Sequence, residues 1–186
     1  MHTTRLLVLF MTAMTLLWSA SAWPAGSLTV QILGWTLAVA AVGMAVTALV
    51  ARPPRATPAE EPPAADPPRV APATLVAVFV EVAAIVIAVR FLARTDPDLI
   101  QPAIATIVGA HWIVFWFFPA TRSLVHVVAA VVGVAVGGAG IAAVLAGQPA
   151  PLVHGLVGIG MATLTLGYAL LFLTGRRASS PPAPRA

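Results

Sequence analysis

Apolar residues recur along this chain in runs of about twenty, with almost no polar stripe. That is the pattern of helices surrounded by hydrocarbon, not of elements half-wetted around a water-soluble core. The runs are Leu6–Trp23, Leu28–Ala51, Pro72–Ala93, Ile100–Pro119, Ser123–Gly147 and Leu152–Thr174. The expected fold is all-α, an integral membrane bundle of about six transmembrane helices. Pro24-Ala25-Gly26-Ser27 is too short to be more than a turn, so the first two runs form a hairpin. Pro102 falls in the first turn of the fourth run, where a missing N–H does least harm, and Pro119 marks its exit. Gly147-Gln148-Pro149-Ala150-Pro151 turns the fifth run into the sixth.

The segments between the runs complete the organisation. Residues 1–51 are read as a transmembrane hairpin and 52–71 as a disordered cytoplasmic loop. Residues 72–174 are read as a four-span bundle and 175–186 as a disordered cytoplasmic tail. The loop repeats Pro-Pro with Ala and Glu (Arg52-Pro53-Pro54, Glu61-Pro62-Pro63, Asp66-Pro67-Pro68) and holds too little apolar surface to offset the entropy of ordering it.

Composition agrees: 60% of the 186 residues are hydrophobic and only 9% charged, against about a quarter charged in soluble domains. The net charge of +4 would fit a nucleic-acid partner if the arginines, the only basic residues besides histidine, formed a face. They lie at span ends and in tails instead, a placement suited to lipid headgroups and topology, so no nucleic-acid partner is expected. Arg5, Arg52, Arg55, Arg69, Arg122, Arg176, Arg177 and Arg185 fall on one side and only Arg90 and Arg94 on the other. Both termini are therefore expected in the cytoplasm. Arg5, the apolar stretch to Trp18 and Ala20-Ser21-Ala22 also fit a cleavable secretory signal. A retained hairpin is the simpler account, because a further span begins at Leu28. With no cysteine, disulfides and thiolate chemistry are excluded.

Ionisable groups at bilayer depth are costly unless paired, neutralised or hydrated, and so point to sites. Glu81 lies nine positions after Pro72, about 14 Å along a helix and near the middle of a ~30 Å hydrocarbon layer. His111 lies nine positions after Pro102 on the next, antiparallel helix. The two are expected to meet as a buried polar pair, either a register-fixing contact or a group that moves a proton or binds a solute. Arg90 and Arg94 share one helix face near the outer interface, and Asp96 and Asp98 are expected to partner them there. These three, Arg90, Arg94 and Asp96, are secondary candidates. Counted by depth, His111, His126 and His154 fall at different levels, so no haem or metal site is read and no cofactor is expected. Trp112, Phe115, Trp116, Phe117 and Phe118 read as lipid contacts. Gly133 and Gly137 form a Gly-x-x-x-Gly pair, with further glycines at Gly138, Gly140, Gly155, Gly158, Gly160 and Gly167. The expected use of this ridge is packing of the last two spans on each other, with a homo-oligomer or membrane-partner seam as the alternative.

The stretch from Glu81 through Asp96-Pro97-Asp98-Leu99-Ile100-Gln101-Pro102 to Gly109-Ala110-His111-Trp112 resembles a group of small uncharacterised bacterial multipass proteins. Those carry a Gly-Leu-His-Phe-type motif after a glutamate-bearing span. Ala110 and Trp112 stand where that group has leucine and phenylalanine, and the likeness covers about a fifth of the chain. It implies a bacterial plasma membrane and brings no activity with it. The functional expectation is small-solute or proton-linked transport through Glu81 and His111. The alternative is an accessory subunit in which the pair only sets helix register. An enzyme is not expected, since no serine–base pair or second carboxylate falls at matching depth.

Overall fold

The computed structural model describes residues 2–50, 72–118 and 123–178. It is all-α, with six helices: α1 (His2–Ala20), α2 (Leu28–Val50), α3 (Pro72–Thr95), α4 (Ile100–His111), α5 (Leu124–Leu145) and α6 (Ala150–Ala178). A 3-10 turn, Pro97–Leu99, precedes α4, and a 3-10 helix, Trp112–Phe117, continues it. Five helical segments are long and apolar enough to cross a membrane: Leu28–Val50, Thr74–Thr95, Pro97–Phe117, Leu124–Leu145 and Ala150–Thr174. The apolar part of α1, Arg5–Ala20, is shorter. The loop expected at 52–71 lies outside the described residues, as do Arg122 and the tail from residue 179. α6 runs to Ala178, four positions past the end expected at Thr174.

Local chemistry sets the element ends. Ser123 caps α5 by accepting from Val125 N–H at 3.3 Å. The other end of α5 closes with Gly147 N–H donating to Val144 O and Gln148 N–H to Ala143 O. That bond pattern places Gly147 at φ 78°, a left-handed conformation that favours glycine. Asp96 caps the 3-10 turn through its side chain, which accepts from Asp98 N–H at 3.2 Å, and Pro97 supplies the pre-set φ.

Burial follows small and polar residues more than large apolar ones, as expected where lipid is as apolar as leucine. On α1 the buried face is Val8, Met11, Thr12, Thr15, Trp18 and Ser19, a three-and-four spacing that forms one stripe. It lies along α6, where Thr15 and Thr165 hydroxyls share a 2.9 Å hydrogen bond. Large side chains point outward: Phe79 is 74% exposed, Ile87 68% and Val131 63%. Apolar surface of this extent belongs against hydrocarbon. The chain is thus a multipass membrane protein.

Most of these glycines lie inside the bundle, and only part of them along the seam expected between the last two spans. Gly133 on α5 packs on Gly109 of α4, and Gly137 on Pro102 and Thr106 of the same helix. Gly155 and Gly158 of α6 pack against Ala22, Ser21 and Trp18 at the end of α1. Of the ridge expected to join the last two spans, Gly140 faces Val157 of α6 and Gly160 faces Val136 of α5. At the closest approach, Gly109 against Gly133, a small residue meets a small residue. Gly138 and Gly167 face open space.

α3 is the exception. It packs on α4 and the following 3-10 helix, shares almost no contact with α1, and has Ala77 as its one buried residue among those described.

Candidate functional site

Because α3 stands off from α1, the half of the bundle bearing the N-terminus of α1 contains a cavity of about 560 Å³. Its mouth is edged by Leu7 of α1, Thr74 of α3, Ser123 at the start of α5 and Phe172 of α6. Deeper in lie Glu81, Val108, His111 and Thr165, with Met11 and Met14 of α1 forming one wall and Trp112 and Phe115 another.

The structure brings Glu81 and His111 together on this cavity. Glu81 Oε1 stands 3.7 Å from His111 Nδ1, with the two side chains 19% and 11% exposed. That separation allows an ion pair but is too long for a hydrogen bond. Nδ1 is already engaged, donating to the Val108 carbonyl of its own helix at 2.5 Å. Among the described residues, Glu81 therefore has no hydrogen-bond donor.

Trp112 and Phe115 hold the site from behind. The Trp112 ring is 4.6 Å from His111, 5.9 Å from His126 and 4.4 Å from Tyr168, centroid to centroid, and Phe115 is 5.0 Å from His126. His126 Nδ1 and the Tyr168 hydroxyl share a hydrogen bond between α5 and α6. One expectation needs correcting, that for Trp112. Trp112, read as a lipid contact, is 9% exposed and lies at the centre of the aromatic stack, whereas Phe117, 73% exposed, does face outward. His111 and His126, read as separated in depth, line one cavity and touch the same two rings.

The two histidines still lie at different depths, with the helix of His111 ending in a 3-10 segment. Counted from Phe117 at about 2 Å per residue, His111 lies about 12 Å from the Phe117 end of its span. Glu81 lies about 14 Å from the same surface and His126 about 5 Å, a gap that the rings of Trp112 and Phe115 bridge. His126, Tyr168 and Thr165 were missed as site residues. Counting every span from one membrane surface would have found the first two, since Tyr168 is the chain's single tyrosine.

The secondary candidates lie elsewhere. Arg90 and Arg94 are exposed on α3, and a groove containing both is lined otherwise by Ile87, Phe91 and Thr95. Neither pairs with Asp96 or Asp98, contrary to expectation: the Asp96 carboxylate is taken by the Asp98 N–H that starts the 3-10 turn. His154 joins the opposite end of the bundle, with Nε2 donating to Asp98 O at 2.7 Å while Gln101 Nε2 donates to His154 O at 3.0 Å. Among the described residues, no three His, Asp or Glu side chains converge as a metal site requires. No family model, curated protein or solved structure matches this chain, so the resemblance read between Glu81 and Trp112 attaches it to no family.

Proposed function

We propose that the protein is a proton-linked carrier of a bacterial plasma membrane, with six spans, both termini cytoplasmic, and Glu81 with His111 as its proton-exchanging group. Arginine placement supports the orientation, since translocating positive charge is disfavoured. α1 supports the sixth span by lying antiparallel along α6 from Thr15 beside Thr165 to Val8 and Met11 beside Tyr168 and Ala169. A carrier fits better than an enzyme because, among the described residues, the cavity offers one carboxyl, without the second carboxylate that hydrolytic acid–base chemistry commonly uses.

The observation that carries this reading is the Glu81 carboxyl, which faces a cavity at membrane depth with no hydrogen-bond donor. A residue kept to fix helix register would be bonded. The helices that are locked show what a lock looks like: Thr15 to Thr165, His126 to Tyr168, Gln101 to His154. Among the described residues, α3 has no interhelical side-chain hydrogen bond. A carboxyl left this way gains and loses a proton according to what occupies the cavity.

A hydrophobic carbodiimide tests this in the full chain. It adds to a carboxyl that holds its proton and is reachable from an apolar phase, leaving an N-acylurea. Mass spectrometry is expected to find the adduct on Glu81, with no adduct in that peptide of Glu81→Gln. A folded protein whose Glu81 stays unmodified under conditions that label other membrane carboxyls contradicts the reading.

A further inference from the structure

The cavity's shape and lining say more about its occupant than proton exchange requires. Phe10 of α1 and Val78 of α3 both line it, yet they are 58% and 50% exposed. They form the two lips of a gap between helices that barely touch. Both lie within membrane-spanning runs, so the gap faces hydrocarbon, and a solute reaches the cavity sideways from the bilayer. Such a solute is lipophilic.

The charge of the solute follows from the lining. Among the described residues, Glu81 is the only carboxyl on the cavity wall, and no arginine or lysine lines it. Trp112 and Phe115 line the same space, and aromatic rings attract a cation electrostatically, the more so where water is scarce. Met11 and Met14 opposite them are unbranched and polarizable, adaptable to an irregular apolar shape. Among the described residues, an anion would meet a carboxylate and two aromatic rings with no fixed positive side chain. A neutral lipid tail would leave Glu81 without a use.

We infer that this cavity is a site for a lipophilic organic cation, an aromatic or alkyl ammonium, that enters between α1 and α3 and seats its charge between Glu81 and the Trp112–Phe115 rings. The inference rests on Glu81 being the exchanging group: the cation takes the carboxylate, and the proton leaves to water. No covalent bond is made or broken apart from that O–H. Release runs the other way when Glu81 is reprotonated.

Tetraphenylphosphonium, a permanent cation, is the probe, with tetraphenylborate and neutral triphenylphosphine oxide as comparisons. The ligands are titrated by calorimetry into the detergent-solubilised full chain in weak buffer. Tetraphenylphosphonium is expected to bind and to displace a proton, and the other two to bind at least about tenfold more weakly. Glu81→Gln and Trp112→Leu, each checked for folding by size-exclusion chromatography, are each expected to weaken the cation about tenfold or more. Glu81→Asp should retain binding, and Val78→Trp should slow association by narrowing the gap.

Equal affinity for cation and neutral probe, or an unchanged affinity in folded Glu81→Gln, overturns the inference and leaves only an apolar crevice. If Glu81 takes the carbodiimide but no tetraphenylphosphonium binds, proton exchange stands and the cation site falls. If the cation binds through Glu81 without releasing a proton, the cation site stands and the proton linkage falls.

Discussion

A Gly133→Val chain is expected to lose about 3 kcal/mol or more of stability, the upper end of what overpacking costs. A side-chain carbon at Gly133 would stand 2.5 Å from Gly109 Cα, nearer than real Cβ atoms come to backbone, and backbone cannot swing aside as a flexible side chain can. α4 and α5 would have to separate, and their separation would open the wall that carries Val108, His111 and Trp112. Gly138→Ala on the same helix is the control. It meets nothing within 4 Å and is expected to be neutral or to gain up to about 1 kcal/mol from helix propensity. Dodecyl sulfate titration of both variants in mixed micelles, followed by circular dichroism, measures the difference. Equal midpoints would show that the contact between α4 and α5 is not close.

Trp112→Ala is the second large effect. The indole is 9% exposed and stacks against His111, Phe115, His126 and Tyr168, so its removal empties the junction of α4, α5 and α6. Trp→Ala in a water-soluble core costs about 3–5 kcal/mol. In lipid the transfer part of that cost shrinks, since the unfolded helices already sit in an apolar phase, and packing remains. The expected loss is therefore near the low end, about 3 kcal/mol, again by dodecyl sulfate titration. Phe117→Ala, at a side chain 73% exposed toward lipid, is expected to change stability by less than about 0.5 kcal/mol. A Trp112→Ala protein as stable as Phe117→Ala would mean that the stack holds nothing together.

Much of this architecture was legible in the order of the residues. Long apolar runs, the turn at Pro24–Ser27 and the prolines at the ends of the fourth run specify all-α membrane spans, because the bilayer allows few other solutions. The meeting of Glu81 and His111 was legible as well, since two antiparallel helices bring residues counted from one surface to one depth. The partners of each helix were not. Gly133 approaches the backbone of Gly109 more closely than Leu164 of α6 because interfaces in lipid are chosen by fit between small residues, and one helix's pattern does not name its neighbour. Trp112 was misread for a related reason. An aromatic near a membrane surface serves equally well as a lipid contact or an interior plug, and only the position of Tyr168 on α6 decides between them. Asp96 looked like an ion-pair partner, and its short side chain instead closes the local turn.

The account turns on Glu81 being a group that faces a cavity, free to exchange its partner, and not a bolt between α3 and α4. The unfolding free energy of Glu81→Gln, measured against the parent chain in the same micelles, tests this most directly. The amide keeps the shape and removes the charge. The expected result is a value within about 0.5 kcal/mol of the parent, or a more stable protein, as for a surface-like position. A loss of about 3 kcal/mol or more, the cost of breaking one side of a buried ion pair, would contradict it and would make Glu81 and His111 a structural lock.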